Sequence, residues 1–217
     1  MIPLKDINPT RTFPFVNVML ISANVLVFLY QITLSPHAAK AFLLANATIP
    51  SRIPAFLAGH APASMALFPL FSSMFLHGGL MHLLGNMLFL YIFGDNVEDA
   101  FGHIGYLFFY LLCGIGSGLI HVMFNWDSAI PALGASGAIS GVMGAYAVLF
   151  PKHQILTFFF IFLIPVPAIL ILGYWFVLQF VAGINGLGMA TAGGVAWWAH
   201  IGGFLMGVVI AWAVKKR

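Results

Sequence analysis

Residues 134–147 read GASGAISGVMGAYA, a run without charge in which glycine recurs every three or four positions. A second run, residues 199–207, reads AHIGGFLMG and has small residues at similar spacing. Small residues at this spacing share one face of a helix and let two membrane helices approach closely. The two runs therefore predict a packed helix pair that brings Ser136 within hydrogen-bond reach of His200.

The composition agrees with a membrane location. Of the 217 residues, 62% are hydrophobic and 6% are charged, whereas a soluble domain carries about 25% charged residues. The mean hydropathy is +1.04. These values exclude a soluble enzyme, a disordered protein and a nucleic-acid-binding domain as the function class. The one cysteine, Cys113, excludes an intramolecular disulfide and disfavours a cysteine-ligated metal.

The positions of the charged residues divide the chain into runs long enough to cross a bilayer. A spanning helix needs about 20 mostly apolar residues, and 62 uncharged residues separate Lys152 from Lys215. A glycine-rich break at residues 183–194 divides this run in two. The long apolar runs do not alternate with polar residues, which indicates helices rather than membrane strands. We predict an all-α, polytopic six-helix bundle with spans at residues 14–34, 76–93, 103–124, 135–150, 154–180 and 196–214.

The distribution of Lys and Arg predicts the orientation. Six spans place both termini on one side of the membrane, and that side holds six of the eight Lys and Arg residues. The termini are therefore predicted to be cytoplasmic. Residues 1–13 are then a cytoplasmic segment, residues 14–214 the transmembrane domain and residues 215–217 a basic cytoplasmic tail. Residues 35–75 are predicted to form a long, structured external loop.

Polar residues inside a membrane are costly and mark functional sites. Asp, Glu, Lys and Arg are absent from the predicted spans, which leaves His82 and Asn86 in span 2, Ser136 in span 4 and His200 in span 6. At a rise of about 1.5 Å per residue from the cytoplasmic charge that ends each span, Ser136, His200 and His82 lie about 24, 22 and 20 Å up. The three side chains are therefore predicted to converge near the external face.

A serine and a histidine at one depth can support nucleophilic catalysis. A neutral histidine is the usual base that activates a serine hydroxyl. The backbone N–H of Ser136 at a helix N-terminus, with the side chains of His82 and Asn86, would stabilise the oxyanion. No carboxylate is predicted at this depth, so we expect a Ser136–His200 dyad in which packing orients His200. Neither a metal nor a cofactor is implied.

Three motifs together resemble one family. GASG at residues 134–137 opens a span, AHIGG at residues 199–203 lies in the last span, and HLLGN at residues 82–86 lies in span 2. Taken in chain order, on spans 2, 4 and 6 and at matching depth, the three motifs are similar to those of the rhomboid intramembrane serine proteases, and the resemblance covers residues 14–214.

The resemblance implies a role for each site residue. Ser136 would be the nucleophile, His200 the general base, and His82 and Asn86 the oxyanion-supporting pair. The activity implied is that of a serine endopeptidase that cleaves transmembrane segments of membrane proteins near the external face. Its partners would be single-pass or other membrane proteins and the lipid bilayer, without nucleic acid. A chain without an extra domain suits the cell (inner) membrane of a bacterium or archaeon.

Two positions depart from the family pattern. Phe68-Pro69 stands where many members carry Trp-Arg in the first external loop, and Ser140 stands where some members place an aromatic residue under the histidine ring. The packing of His200 is therefore expected to come from elsewhere. His77 matches a histidine frequent in the family, but no chemical role is assigned to it.

Other interpretations of the chain remain beside this one. A non-catalytic member of the same fold would bind membrane proteins and steer them to degradation. A transporter would carry intramembrane carboxylates or broken helices in two related halves, and neither pattern is present. A metal held by His77 and His82 is disfavoured because their spacing does not share a helix face. Several further residues are interpreted as interfacial or lipid-facing: His103, Tyr110, His121, Trp175 and Trp197.

Overall fold

The computed structural model describes residues 2–185 and 196–215. Most of the described residues are helical. The helices are α1 (Phe15–Thr33), α2 (Pro36–Asn46), α3 (Arg52–Leu57), α4 (Ala63–Ala66), α5 (Phe68–Ser72), α6 (Leu80–Phe101), α7 (His103–Phe124), α8 (Ser136–Leu149), α9 (Ala168–Asn185) and α10 (Trp197–Lys215), with a 3₁₀ turn at Ser73–Phe75. The strands are β1 (Ile2–Asp6), β2 (Gln154–Phe159) and β3 (Phe162–Pro167). Most of the predicted glycine-rich loop and the last two residues of the predicted basic tail lie outside the described residues.

Four of these helices, α1, α7, α9 and α10, are long and apolar enough to cross a membrane. A fifth span results if residues 63–75 and α6, which meet at a bend of 77°, cross as one broken element. Helix α8 has 14 residues. At about 1.5 Å per residue it is shorter than the hydrocarbon core of about 30 Å. The chain is therefore a mostly helical membrane protein, and six spans stay a prediction.

The expectation of an all-α fold is wrong, because the chain contains a three-stranded antiparallel sheet in the order β1-β2-β3. The predicted fifth span at 154–180 begins with the β2–β3 hairpin, and its helix starts only at Ala168. Aromatic and β-branched residues favour strands, and Pro165 and Pro167 oppose a helix through the hairpin. The absence of apolar–polar alternation predicts a helix, but this hairpin lacks the alternation because its outward-facing residues are apolar too.

Helix α6 continues past the predicted end of span 2 and includes Asp95, Glu98 and Asp99. The fully buried carboxylate of Glu98 accepts the backbone N–H groups of Val16 at 3.0 Å and Asn17 at 2.7 Å. These donors belong to the first turn of α1, which has no intrahelical acceptor for them. Glu98 therefore joins the start of α1 to the end of α6, and the helix extends beyond the predicted end of span 2 at residue 93.

The predicted structured loop at 35–75 is confirmed as structured, since α2 to α5 and the 3₁₀ turn occupy most of it. The Thr48 hydroxyl donates to the Pro69 carbonyl at 3.0 Å, and Thr48 also pairs through its backbone with Ala132. Pro69 is buried and Phe68 is exposed. Backbone and hydroxyl hydrogen bonds therefore anchor this loop beside Phe68-Pro69, where the sequence departs from the pattern of the family it resembles.

The predicted contact between the glycine faces of α8 and α10 is confirmed. A Cβ on Gly203 would overlap the carbonyl oxygen of Gly137, and a Cβ on Gly207 would overlap that of Gly141. The two backbones are in direct contact at these points, where no side chain fits. Helices that touch in this way are held in one register, because a residue with a side chain fits at neither position.

Replacing Gly207 with Ala should loosen this contact. The added methyl meets backbone rather than a flexible side chain, and overpacking of this kind costs about 1–3 kcal/mol. The matched control is Gly173→Ala on α9, where the added Cβ meets no described heavy atom within 4 Å apart from its chain neighbours and the adjacent helix backbone. Thermal unfolding in detergent should show a lower midpoint for Gly207→Ala and no loss for Gly173→Ala. Equal midpoints for the two variants would contradict the close approach of α8 and α10.

Candidate active site

Ser136 is the first residue of α8, and the preceding loop fixes its position. The Gly134 N–H donates to the Ser73 carbonyl at 2.9 Å, and Gly134 has a φ of +122°, a conformation that favours glycine. A Cβ on Gly134 would lie 2.8 Å from Cε1 of the His82 ring. Glycine is therefore required here both by the backbone conformation and by the histidine ring packed against it.

The structure brings Ser136 and His200 together, as the sequence predicts. The hydroxyl oxygen of Ser136 lies 2.7 Å from Nε2 of His200, across the contact between α8 and α10. His200 is 8% exposed, and Ser136 is partly buried. The distance is that of a hydrogen bond between a hydroxyl and an imidazole nitrogen.

A third residue of this arrangement, Gln179 on α9, was missed by the sequence analysis. Its side-chain oxygen lies 2.7 Å from Nδ1 of His200, and its side chain is buried. An amide oxygen only accepts hydrogen bonds, so Nδ1 of His200 carries the proton and Nε2 accepts from Ser136. Packing alone was expected to orient His200, and the structure corrects this. The available signal was a lone glutamine within an otherwise apolar helix.

Aromatic rings also contact His200, and they too come from outside α8. The Trp175 ring lies 5.9 Å from the imidazole, and the Trp197 ring lies 6.3 Å away with its plane nearly perpendicular. Both tryptophans are partly buried, and each packs one side of its ring system near His200. Ser140, which stands where some relatives have an aromatic residue, instead donates its hydroxyl to the Ser136 carbonyl at 2.6 Å.

His82 and Asn86 lie one turn apart on α6 and face this site differently. Asn86 is 7% exposed, and its amide nitrogen has no hydrogen-bond partner among the described residues. His82 is exposed, and its Nδ1 accepts a long, 3.4 Å hydrogen bond from the Gly78 N–H. A Cβ placed on Gly134 would lie 2.9 Å from His82 Nε2 and 3.7 Å from the Ser136 hydroxyl oxygen. His82 therefore lies close to Ser136 on the α6 side, and Asn86, one turn further along α6, is a buried donor without a partner among the described residues.

A cavity of about 40 Å³ lies beside Ser136. Its polar lining comes from four further residues: Thr48, Ser73, Ser117 and His121. A polar space of this size accommodates a water molecule. His121 thus faces the site rather than the interface, and Tyr110 is fully buried. The interfacial interpretation of both residues is wrong.

The rings of His77 and His82 lie 5.1 Å apart, although their spacing argued against a pair. His77 precedes α6, and the Gln31 side chain holds its backbone through hydrogen bonds of 3.1 and 3.2 Å. In residues 2–185 and 196–215, no group of three His, Cys, Asp or Glu side chains is placed to hold a metal ion. That the site works without a metal stays a prediction.

A family model for the rhomboid domain matches residues 64–217. The chain belongs to the rhomboid family.

Several rhomboid proteins of yeast and plants are similar to the chain. Rhomboid protein 1, mitochondrial, of Saccharomyces cerevisiae is 34% identical over 151 residues, which cover 66% of this chain and 41% of the yeast protein. RHOMBOID-like protein 1 of Arabidopsis thaliana is 33% identical over 148 residues, which cover 68% of this chain and 34% of the plant protein. RHOMBOID-like protein 6, mitochondrial, of the same plant is 34% identical over 148 residues, with 68% and 44% covered. The chain thus spans less than half the length of these relatives.

Replacing Gln179 with Leu should slow any reaction of Ser136 that needs His200 as base. Leu has a similar size but cannot accept a hydrogen bond from the Nδ1–H group of His200, so the imidazole loses its fixed tautomer and orientation. We expect a decrease in kcat of roughly 10-fold to 100-fold, because a hydrogen bond to the imidazolium contributes about 1.5–3 kcal/mol. Gln179→Glu, which retains an acceptor oxygen, should preserve more activity. Equal kcat in Gln179→Leu and the unaltered chain would contradict a positioning role for Gln179.

Proposed function

We propose that this rhomboid family member is an intramembrane serine endopeptidase with Ser136 as nucleophile and His200 as general base. The observation that carries the proposal is the 2.7 Å hydrogen bond between the Ser136 hydroxyl and His200 Nε2. A serine hydroxyl that donates to a neutral imidazole is the arrangement that nucleophilic catalysis requires. A non-catalytic, membrane-protein-binding role gives no reason for this pairing, and the proteolytic function is therefore favoured.

The proposed reaction begins with attack of the Ser136 oxygen on the scissile carbonyl carbon. His200 Nε2 takes the hydroxyl proton, and Gln179 accepts the Nδ1–H of the imidazolium that forms. When the tetrahedral intermediate collapses, the C–N bond breaks and His200 transfers the proton to the leaving amine. A water molecule, deprotonated by the same nitrogen, then attacks the acyl ester, and Ser136 regains its proton.

The oxyanion of the intermediate needs donors that are in place before it forms. The proposed donors are the backbone N–H of Ser136 at the start of α8, the side chain of Asn86, and the side chain of His82, whose ring packs against Gly134. The Asn86 amide nitrogen, which is buried without a partner, would gain its missing acceptor in the transition state. A donor satisfied only then stabilises the transition state more than the ground state.

The proposed substrates are transmembrane segments of single-pass or other membrane proteins. A peptide bond inside a helix is shielded, so the segment must become extended before its carbonyl reaches Ser136. We propose that cleavage takes place near the external face and that both termini are cytoplasmic. Residues 1–13 would then be a cytoplasmic segment, residues 14–214 the transmembrane domain and residues 215–217 the cytoplasmic tail. We also propose that the protein is located in a bacterial or archaeal cell membrane. The yeast relative is named as mitochondrial, and fractionation of the source cells distinguishes the compartments.

Substitution of either member of the Ser136–His200 pair should abolish proteolysis. We expect Ser136→Ala and His200→Ala to lower cleavage of a single-span model substrate by at least about 10³-fold, because the nucleophile or its base is lost. Ser64→Ala is the matched control, since this serine is exposed on α4 and does not line the cavity beside Ser136. Reconstituted protein and gel analysis of the products provide the measurement. Retained cleavage by folded Ser136→Ala would refute the proposal.

Substitution of Asn86 tests the oxyanion assignment separately. Asn86→Ala should lower kcat by about 10²–10³ and leave KM nearly unchanged, as expected when one oxyanion donor is removed. Asn86→Gln extends the amide by one methylene and should restore little activity, since donor geometry is strict. A rise in KM at constant kcat would contradict this assignment, because Asn86 would then stabilise the bound substrate and the transition state equally.

A further inference from the structure

The hairpin formed by β2 and β3 ends in a turn that is apolar and exposed. Phe159 and Phe162 form the last pair of the ladder, and Phe160 and Ile161 form the turn between them. Phe160 and Ile161 are 79% and 81% exposed, and Phe162 is 62% exposed. We call residues 158–164 the hairpin tip. All seven of its residues are large, hydrophobic and exposed.

Neither polar nor charged side chains shield this tip. Residues 155–167 carry no charge, and their one polar side chain, Thr157, is buried on the opposite side. A hairpin whose outer face meets water normally alternates polar and apolar residues. Contiguous exposed apolar surface of this kind marks a contact with a membrane or with another protein. The hairpin tip is therefore built to contact something other than water.

The edge of β3 decides between these two kinds of partner. Pro165 and Pro167 have no N–H to donate, so they occupy positions that face away from β2, and alternation places Leu163 on the same side. Leu163 is then the only one of these three outward positions with a backbone donor. A strand added by a partner protein would need a row of backbone N–H donors and C=O acceptors along this edge. An apolar environment instead favours an edge with few exposed N–H groups, because each unpaired group is costly there. The edge therefore opposes strand addition and suits lipid.

The hairpin is also continuous with a membrane helix. Strand β3 ends at Pro167 and α9, a candidate span, begins at Ala168. At the base of the hairpin, Lys152 is exposed, and Lys5 is exposed on the neighbouring strand β1. Lysines at the edge of an apolar element reach lipid phosphates with their ammonium groups while their stems stay in the apolar layer. The lysines at the base and the apolar residues at the tip thus match the order of phosphate headgroups and acyl chains in a bilayer leaflet.

We propose that the hairpin tip inserts into the lipid leaflet at the Lys152 end of the bundle and anchors the start of α9 there. The tip lies at the boundary of headgroups and acyl chains, since an open strand edge is not tolerated deeper in hydrocarbon. The anchor holds the helix that carries Gln179. This inference does not depend on catalysis, and it is tested without an activity assay.

Site-directed fluorescence in lipid bilayers measures the insertion directly. The single native cysteine is buried, so Cys113→Ala provides a background for Ile161→Cys carrying an environment-sensitive fluorophore. Two reference sites use the same background. Asp127→Cys reports an exposed loop position, and Val209→Cys reports a position on the outer face of α10, where Val209 is 65% exposed.

Bilayers that contain lipids with a nitroxide near the headgroup end of the acyl chain should quench the label at residue 161 as strongly as the label at residue 209. The label at residue 127 should be quenched several-fold less. Leu163→Cys repeats the measurement if Ile161→Cys does not fold. Quenching at residues 161 and 163 equal to that at residue 127 would overturn the proposal. A label at residue 161 that reports an apolar environment but is not quenched by nitroxide lipid would also overturn it, because protein rather than lipid would then cover the tip.

Discussion

The rest of the structure depends on the contact between the backbones of α8 and α10. Gly137 meets Gly203, Gly141 meets Gly207, and Gly144 leaves no room for a Cβ beside the carbonyl of Phe204. The first of these contacts lies one residue after Ser136 and three residues after His200. In lipid, where apolar side chains gain nothing by leaving water, close packing of this kind is what holds helices together. The 2.7 Å distance between Ser136 and His200 follows from it.

Helix α9 completes what α8 and α10 begin. Gln179 fixes the proton of His200, and Trp175 of the same helix lies beside the imidazole. The start of α9 is joined to a hairpin whose tip is exposed and apolar. Under the proposed anchoring, a displacement of that hairpin in the leaflet would move the residues that orient His200. The lipid surface and the site would thus be connected through one rigid element.

The sequence predicts the parts of this structure that depend on local spacing. Glycines three and four residues apart predicted the α8–α10 contact, and with it the approach of Ser136 and His200. The sheet was not predictable in the same way, because β1 and β2 are separated by about 150 residues and apolar strands resemble a membrane helix in composition. The Gln179–His200 bond depends on where α9 begins, and that follows from the hairpin. The place of Glu98 inside α6 was not predictable, because its partners are the backbone N–H groups of Val16 and Asn17, which the sequence pattern does not reveal.

The central claim is that the contact of α8 with α10 makes Ser136 a reactive nucleophile whose base is His200. A fluorophosphonate probe, followed by mass spectrometry of the intact, reconstituted chain and its peptides, tests this most directly. The account predicts modification of Ser136 alone among the serines, and its loss in folded His200→Ala. Modification at another serine, or equal labelling of Ser136 with and without His200, would contradict it.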